Sequence, residues 1–386
     1  MRTSCHRLYP ALLARCWVPI LLMPCLLLTG CQSAPSSPSF SPPTTTSPTA
    51  QPLCIAFLYY GKISDGGWTQ AHEEGRRALV SAIHGLQTTY LEDTPAGPEA
   101  VSVLRKLAEE GYDLIVSTSI VFADAVSSVA DEFPQVRFLQ CEGDQTTANI
   151  STYYGKIGEP FYLAGLLAGS TTQTNQIGFV AAYPLDDIIR EIDAFTLGAR
   201  RANSQATVVV RWTMDWADPE KERSETTTLI DIGCDVIAQH QDTPMPQQIA
   251  QERGIFSIGF NSDMAPFAAK AVLASVVWNW GEYYISTVHQ IQQNTWTANA
   301  FWGGLQQGTV GITTPSAFAP EAGKELVREV KAQMEAGTFG LEQIFAGPIA
   351  DQQGKVRVPE GKTLNYEELQ QVDWFVQGVV GSIPSD

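Results

Sequence analysis

The sequence predicts a doubly wound α/β protein built as two similar lobes, and three observations carry that expectation. Short apolar runs alternate with stretches of helical periodicity through most of the chain. The alternation restarts near the middle. A basic, then apolar, then Ser/Pro/Thr-rich leader sets the first fifty residues apart from the rest. Strand–helix alternation is the pattern of a parallel sheet with helices on both faces.

The first strand candidate is 55–60. After it, Ala71, Gly75, Ala78, Leu79, Ala82, Ile83 and Leu86 fall at three-and-four spacing, as an amphipathic helix requires. Strand-like runs recur at 113–117, 136–141, 177–181, 207–211, 235–239, 256–260 and 274–277. Helical stretches lie between them at 99–111, 160–169, 193–203, 222–233, 246–254 and 282–294. Residues 153–169 close one set of units, and 177–180 opens another much as 55–60 opened the first. The expected division is one α/β lobe at 52–172, a second at 173–300, and a segment at 301–386 with one long helix (321–337) that returns to the hinge or the lobes.

The leader has its own logic. Arg2, His6, Arg7 and Arg15 precede an uncharged apolar run at 17–28, broken only by Pro19 and Pro24, and Leu28-Thr29-Gly30-Cys31 follows. A basic start, a short apolar stretch and small residues before a cut describe a secretory signal over 1–30. Its end resembles a bacterial lipobox, which makes Cys31 the lipidated residue. The apolar run is shorter than the ~20 residues a spanning helix needs. Residues 31–51 are nearly all Ser, Pro, Thr, Ala and Gln after the cysteine, an extended tether that cannot bury a core. The expected location is the cell envelope, extracytoplasmic and held to the membrane by lipid alone.

About 355 residues remain after the cut, with 44% hydrophobic and 17% charged residues over the whole chain, enough for two ordinary cores. The formal charge of −17 moves to about −20 once Arg2, Arg7 and Arg15 are removed. Such a charge argues against nucleic acid or an anionic membrane surface as the main partner. Cys54, Cys141 and Cys234 remain, with no Cys-x-x-Cys and no His at metal spacing, so neither a metal nor a cofactor is expected. Buried thiols are the plain reading, and a Cys54–Cys141 disulfide stays open. Two α/β lobes in an exported, tethered chain suggest a periplasmic-binding architecture, a monomer that closes on a ligand by hinge motion.

Ligands of parallel α/β sheets bind beyond the carboxyl ends of the strands. The residues there are Asp65 and Trp68; Ser119 and Phe122; Trp212 and Trp216; His240 and Asp242; Asp263; and Trp278, Asn279 and Trp280. Aromatic and short polar side chains suit a flat, polar, weakly charged ring. Bland roles compete at each. Asp65 serves equally as a helix cap, Trp68 as core where its helix meets the sheet, His240 and Asp242 as loop anchors before Pro244, and Asp263 as a loop carboxylate. Trp278 and Trp280 alternate in period two, so only one side of that strand reaches a ligand. Trp212 suits packing between lobes. Signals for enzymes fail: Arg76 stands where a zinc helix starting at His72-Glu73 needs its second His, Thr309 replaces the lysine of a phosphate loop after Gly303, and no Gly-x-Ser-x-Gly occurs. No catalytic residue is expected.

The stretch Asp65-Gly66-Gly67-Trp68-Thr69-Gln70-Ala71-His72-Glu73-Glu74-Gly75-Arg76 resembles the basic membrane protein family of ABC-transporter substrate-binding lipoproteins. The likeness continues through Tyr162-Leu163-Ala164-Gly165, Ala194-Phe195-Thr196-Leu197-Gly198, Asn279-Trp280-Gly281 and Gly347-Pro348-Ile349, so it spans nearly all of the chain after the tether. It implies a type I periplasmic-binding fold and uptake of a purine nucleoside or nucleobase, passed to a membrane permease and its ATPase. It also implies that Trp68 stacks on the base and that Asp263 takes the second-lobe carboxylate role. The family's ribose-binding lysine falls near Trp278-Asn279, a departure that favours a bare base such as adenine. A receptor that signals ligand occupancy to a membrane partner without transport is the alternative; an exported nucleoside hydrolase lacks its motif.

Overall fold

The computed structural model describes residues 52–384; the signal, Cys31 and the tether lie outside them. In chain order the elements are β1 (Cys54–Leu58), α1 (Trp68–Ala82), β2 (Gln87–Leu91), α2 (Pro98–Glu109), β3 (Leu114–Ser117), α3 (Ala123–Glu132), β4 (Arg137–Cys141) and β5 (Ile150–Gly155). Then come α4 (Gly158–Thr171), β6 (Gln176–Ala181), α5 (Asp186–Ala202), β7 (Thr207–Trp212), α6 (Pro219–Asp231), β8 (Val236–Gln239), α7 (Met245–Arg253), β9 (Phe256–Gly259) and β10 (Val272–Trp278). The last part holds α8 (Trp280–Gln292), β11 (Ala300–Gly303), β12 (Val310–Ile312), α9 (Glu321–Glu335), α10 (Leu341–Ile344), β13 (Ile349–Ala350), β14 (Val356–Val358), α11 (Tyr366–Leu369) and β15 (Val379–Val380).

Two large sheets result. The first has the order β11-β5-β4-β3-β1-β2 and the second β12-β10-β9-β8-β6-β7-β15. Every pairing in the first is parallel, and in the second only β12 runs antiparallel, against β10. Strands such as β1 (CIAFL) and β8 (VIAQ) are buried along their whole length, which parallel sheets covered on both faces demand. This is the doubly wound, two-sheet architecture that the alternation predicts. Strand β2 and helix α3 escape that reading because Gln87–Leu91 is a half-exposed polar edge and Ala123–Glu132 is short and rich in Ser and acid.

The chain crosses between the sheets three times, which differs from cuts at 172/173 and 300. Helix α4 follows β5 of the first sheet but packs along α5, beside the second. Gly165 and Gly198 explain the pairing: a Cβ on Gly165 would overlap the Phe195 carbonyl, and one on Gly198 the Tyr162 carbonyl. Without side chains, the two helices touch backbone to backbone. Helix α8 crosses back from β10 and lies on α1, where Gly75 faces Trp280. Strand β11 completes the first sheet and β12 returns to the second. Helix α9 packs on α4 and β15 pairs with β7, so the terminal segment belongs chiefly with the second lobe.

Cys54, Cys141 and Cys234 are buried thiols. Among the described residues no helix is long and apolar enough to cross a membrane, and no group of three or more His, Cys, Asp or Glu is placed to hold a metal ion.

The α4–α5 contact sets a clear expectation. Gly165→Val forces the two backbones apart and should cost roughly 1–3 kcal/mol, the usual range for overpacking. Urea unfolding would read this as a lowered midpoint; an unchanged midpoint would mean that the helices can part without loss.

Candidate functional site

The carboxyl ends of the two sheets meet, and the meeting starts from two glycines. Gly66 takes a positive φ of 81°, which turns the chain into α1. Asp65 then accepts hydrogen bonds from the backbone N–H groups of Gly67 (2.8 Å), Thr69 (2.9 Å) and Gln70 (3.0 Å). It is therefore a helix cap, and both of its oxygens are occupied in that role. From the other lobe, the Ser262 hydroxyl donates to the Gly66 carbonyl at 2.8 Å. Gly67 lies against the backbone of Asp242, where a Cβ would sit 2.6 Å from the Asp242 Cα. Only glycine permits this approach, which lets the Trp68 N–H reach the Asp242 carboxylate.

A continuous set of rings lines the meeting zone. Trp68, partly exposed, donates its indole N–H to the Thr118 carbonyl at 2.8 Å. Its ring stands edge-on to Trp278 at 5.4 Å and 85°. Trp278 stacks on Trp280 (4.7 Å, 9°), contacts Tyr154 of the first lobe at 5.3 Å and donates to Asn261 Oδ1 at 2.9 Å. Beyond it, Phe260 lies 4.3 Å from the His240 ring, which faces Trp216 at 6.0 Å, and Trp216 meets Tyr183 at 5.3 Å.

Carboxyl groups gather among these rings. Glu191 is fully buried on α5 and pairs with His240 Nε2 at 2.6 Å, leaving Glu191 Oε1 and His240 Nδ1 with no partner. Asp187, one turn earlier, is 3.4 Å from the Tyr154 hydroxyl across the lobe boundary. Asp242 accepts from Asn261 Nδ2 at 2.8 Å. Glu142, just past β4, receives the Ile120 N–H and feels the charges of Asp187, Glu191 and Asp242. Burial, reinforced by Asp187, pushes the Glu142 carboxyl up to about 8; burial, reinforced by Asp65, pushes Asp242 up to about 7. No Lys or Arg forms an ion pair with Glu142, Asp187, Glu191 or Asp242 among the described residues.

The structure brings together Asp65, Trp68, Ser119, His240, Asp242 and Trp278 of the residues expected from sequence. Ser119 stands at the rim, capping the short turn that presents the Ile120 N–H. Three residues go elsewhere. Phe122 is fully buried in the core behind the first sheet, with Val126, Val129 and Phe138. Asp263 is exposed and caps its own loop through the Ala265 N–H at 3.0 Å. Asn279 is exposed at the start of α8, beside Gly311. Trp212, expected between the lobes, stacks on Phe375 and donates to the Ser382 carbonyl, so it holds the C-terminal tail. The sequence reading missed Glu142, Tyr154, Asp187 and Glu191. For the last two the cause is plain: α5 begins at Asp186, whereas its apolar periodicity suggested a start at 193.

These carboxyls make stability depend on pH. Glu142 and Asp242 hold protons more tightly in the folded chain than in the unfolded one, so folding takes up protons between about pH 4 and pH 8. Stability must then fall as pH rises through that window. Buried His72, which resists protonation, opposes this only below its ordinary range. We expect a lower urea midpoint at about pH 8.5 than at about pH 6.5, with part of the slope removed by Glu142→Gln. A midpoint that rises with pH would contradict the assignment.

Comparison with known proteins identifies the family and the fold. Residues 53–338 match the family model described as ABC transporter substrate-binding protein PnrA-like. A protein of Haloferax volcanii named provisionally as an ABC transporter glucose-binding protein is 36% identical over 86% of this chain and 81% of its own length. A purine-binding protein of Brucella abortus is 33% identical over 86% of this chain and 94% of its own. An ABC transporter solute-binding protein structure from Conexibacter woesei superposes with a TM-score of 0.65 at 22% identity, covering 76% of this chain and 99% of that one. The fold is the type I periplasmic-binding fold. The chain belongs to the Bmp family of PnrA-like ABC transporter substrate-binding proteins.

Proposed function

We propose that this protein captures a purine nucleobase between its lobes and delivers it to the permease and ATPase of an ABC importer, from a lipid anchor at Cys31. One observation carries the ligand class: an aromatic-walled junction edged by carboxyl groups, none of which forms an ion pair with Lys or Arg among the described residues. Purine faces stack on Trp68 or Trp278, and purine N–H edges meet Glu142, Asp187 or Asp242. Acids without a Lys or Arg partner disfavour phosphorylated and carboxylate ligands through like-charge repulsion. A base is favoured over a nucleoside because the residues expected to hold ribose are absent from the site. Asp263 is exposed, and Trp278 with Asn279 stands where the family's lysine falls.

Glucose is the second reading, supported by the Haloferax volcanii relative, since aromatic faces and carboxyl groups also suit a sugar. Calorimetry with adenine, guanine, hypoxanthine, adenosine and glucose separates the two. We expect a base to bind most tightly, and Trp68→Ala to weaken it by about 1–3 kcal/mol, the range for one base–aromatic stack. Glucose binding alone, or nucleosides binding far more tightly than bases, would overturn the reading. Uptake of the bound base lost on deletion of the gene would speak for transport over sensing.

Location rests on the leader. A single acyl chain holds a protein to a bilayer only marginally, so a stable anchor at Cys31 implies several chains. We expect Cys31→Ser to move the protein from the membrane fraction to the soluble one. Retention in the membrane fraction would refute anchoring at that residue.

A further inference from the structure

Glu142 has features that a structural carboxylate would not need. Its backbone sits in the left-handed region, at φ 53°, where glycine or asparagine is the ordinary occupant. The residue as a whole is half-buried. It has one backbone donor, Ile120, and no ion-pair partner among the described residues.

The groups facing it come from three directions. Tyr154 faces it from β5, Asp187 and Glu191 from α5, and Asp242 from the loop after β8. Cys141 precedes it on its own strand, His240 is tied to Glu191, and Arg190 acts on Glu191 while donating to the Leu369 carbonyl. Four acids thus share a junction in which His240 pairs with Glu191 and no Lys or Arg pairs with any of them among the described residues, so neighbouring charge disfavours ionisation of Glu142. Glu191 is fully buried, gives one oxygen to His240 and leaves Oε1 without a partner beside this junction. An unmet acceptor at that depth points to a donor supplied by a ligand.

We infer that Glu142 is the specificity-determining residue of the cleft and meets the ligand as a neutral carboxylic acid. In that form it selects a ring edge that presents a hydrogen-bond donor beside an acceptor. A neutral acid has one acceptor oxygen and one O–H donor side by side. The 6-amino group of adenine next to a ring nitrogen matches that pair. Guanine's edge of two adjacent N–H donors is matched instead by an ionised carboxylate. Burial among like charges, which raises the Glu142 carboxyl to about 8, is consistent with the neutral form near neutrality. This inference rests on the purine reading above.

Calorimetry on the full mature chain tests it, with adenine and guanine as probes. Wild-type protein should prefer adenine and release no net proton near neutral pH, read by repeating the titration in buffers of different ionisation enthalpy. Its adenine affinity should fall roughly ten-fold between about pH 7 and about pH 9, because the acid ionises over that interval. Glu142→Gln, whose amide keeps a donor beside an acceptor, should stay within about three-fold of wild type near neutral pH and lose much of the pH dependence. Glu142→Ala should lose at least about thirty-fold, in line with an unmet buried polar edge on the ligand. The inference is overturned by preference for guanine with release of about one proton, by Gln as damaging as Ala, or by a flat wild-type pH profile. The wild-type profile stands even if a variant misfolds. If no purine binds the wild-type chain, the purine reading itself falls; if purines bind and Gln is as damaging as Ala, only the role of Glu142 falls.

Discussion

The contact between the backbones of Gly67 and Asp242 is the constraint on which the cleft depends. It places the start of α1 against the second lobe with no side chain between them. Two consequences follow. The Trp68 N–H and its indole are delivered to the lobe boundary together. Water is displaced from a zone that holds several carboxyl groups, and lower local polarity magnifies their mutual repulsion. Two unit charges about 4 Å apart interact by about 4 kcal/mol at an effective dielectric of 20, against about 1 in water. A junction of this kind resolves the conflict by protonation or by a ligand that supplies donors.

Each lobe is made stiff by its own close helix contact, and the connections between lobes carry the motion. Gly165 and Gly198 hold α4 to α5, and Gly75 and Gly281 let α8 settle on α1. Packing that tight resists bending. The chain between the lobes is reduced to the segments after β5, after β10 and after β11. A hinge confined to a few residues between stiff bodies is the ordinary basis of closure. The sequence placed those boundaries late because α4 directly follows a strand of the first sheet, and nothing in its local pattern says which sheet it covers. That choice is made by the glycines that let α4 and α5 pack backbone to backbone.

The same distinction runs through the site. Trp68, His240, Asp242 and Trp278 were legible because each stands at the end of an apolar run, and the run itself locates the carboxyl edge of a sheet. Asp263 and Phe122 stand at such ends too, yet one turns to solvent and the other into the core. Side-chain direction after a strand is set by the loop, and one residue of register reverses it. Glu142 was missed for a related reason: it occupies a left-handed turn where sequence favours glycine or asparagine, so a glutamate there gives no turn signal. Asp187 and Glu191 lie on the first turns of α5, interleaved with Ile188, Ile189 and Ile192, in a stretch that the sequence expectation left outside the helix.

Net charge and the acidic junction act over different distances. The chain carries −17 overall, which repels anions before contact. At physiological ionic strength that field decays over about 8 Å, so distant charge affects encounter far more than retention. Buried acids are screened much less. On the proposed reading, discrimination among solutes that reach the cleft falls to Glu142, Asp187, Glu191 and Asp242, each of which would gain from a ligand that brings a donor and lose from one that brings another negative charge. A neutral heterocycle, the proposed ligand, would pass the outer field unhindered and find donors wanted inside. That division would let a strongly acidic chain keep a cleft whose affinity is decided at contact.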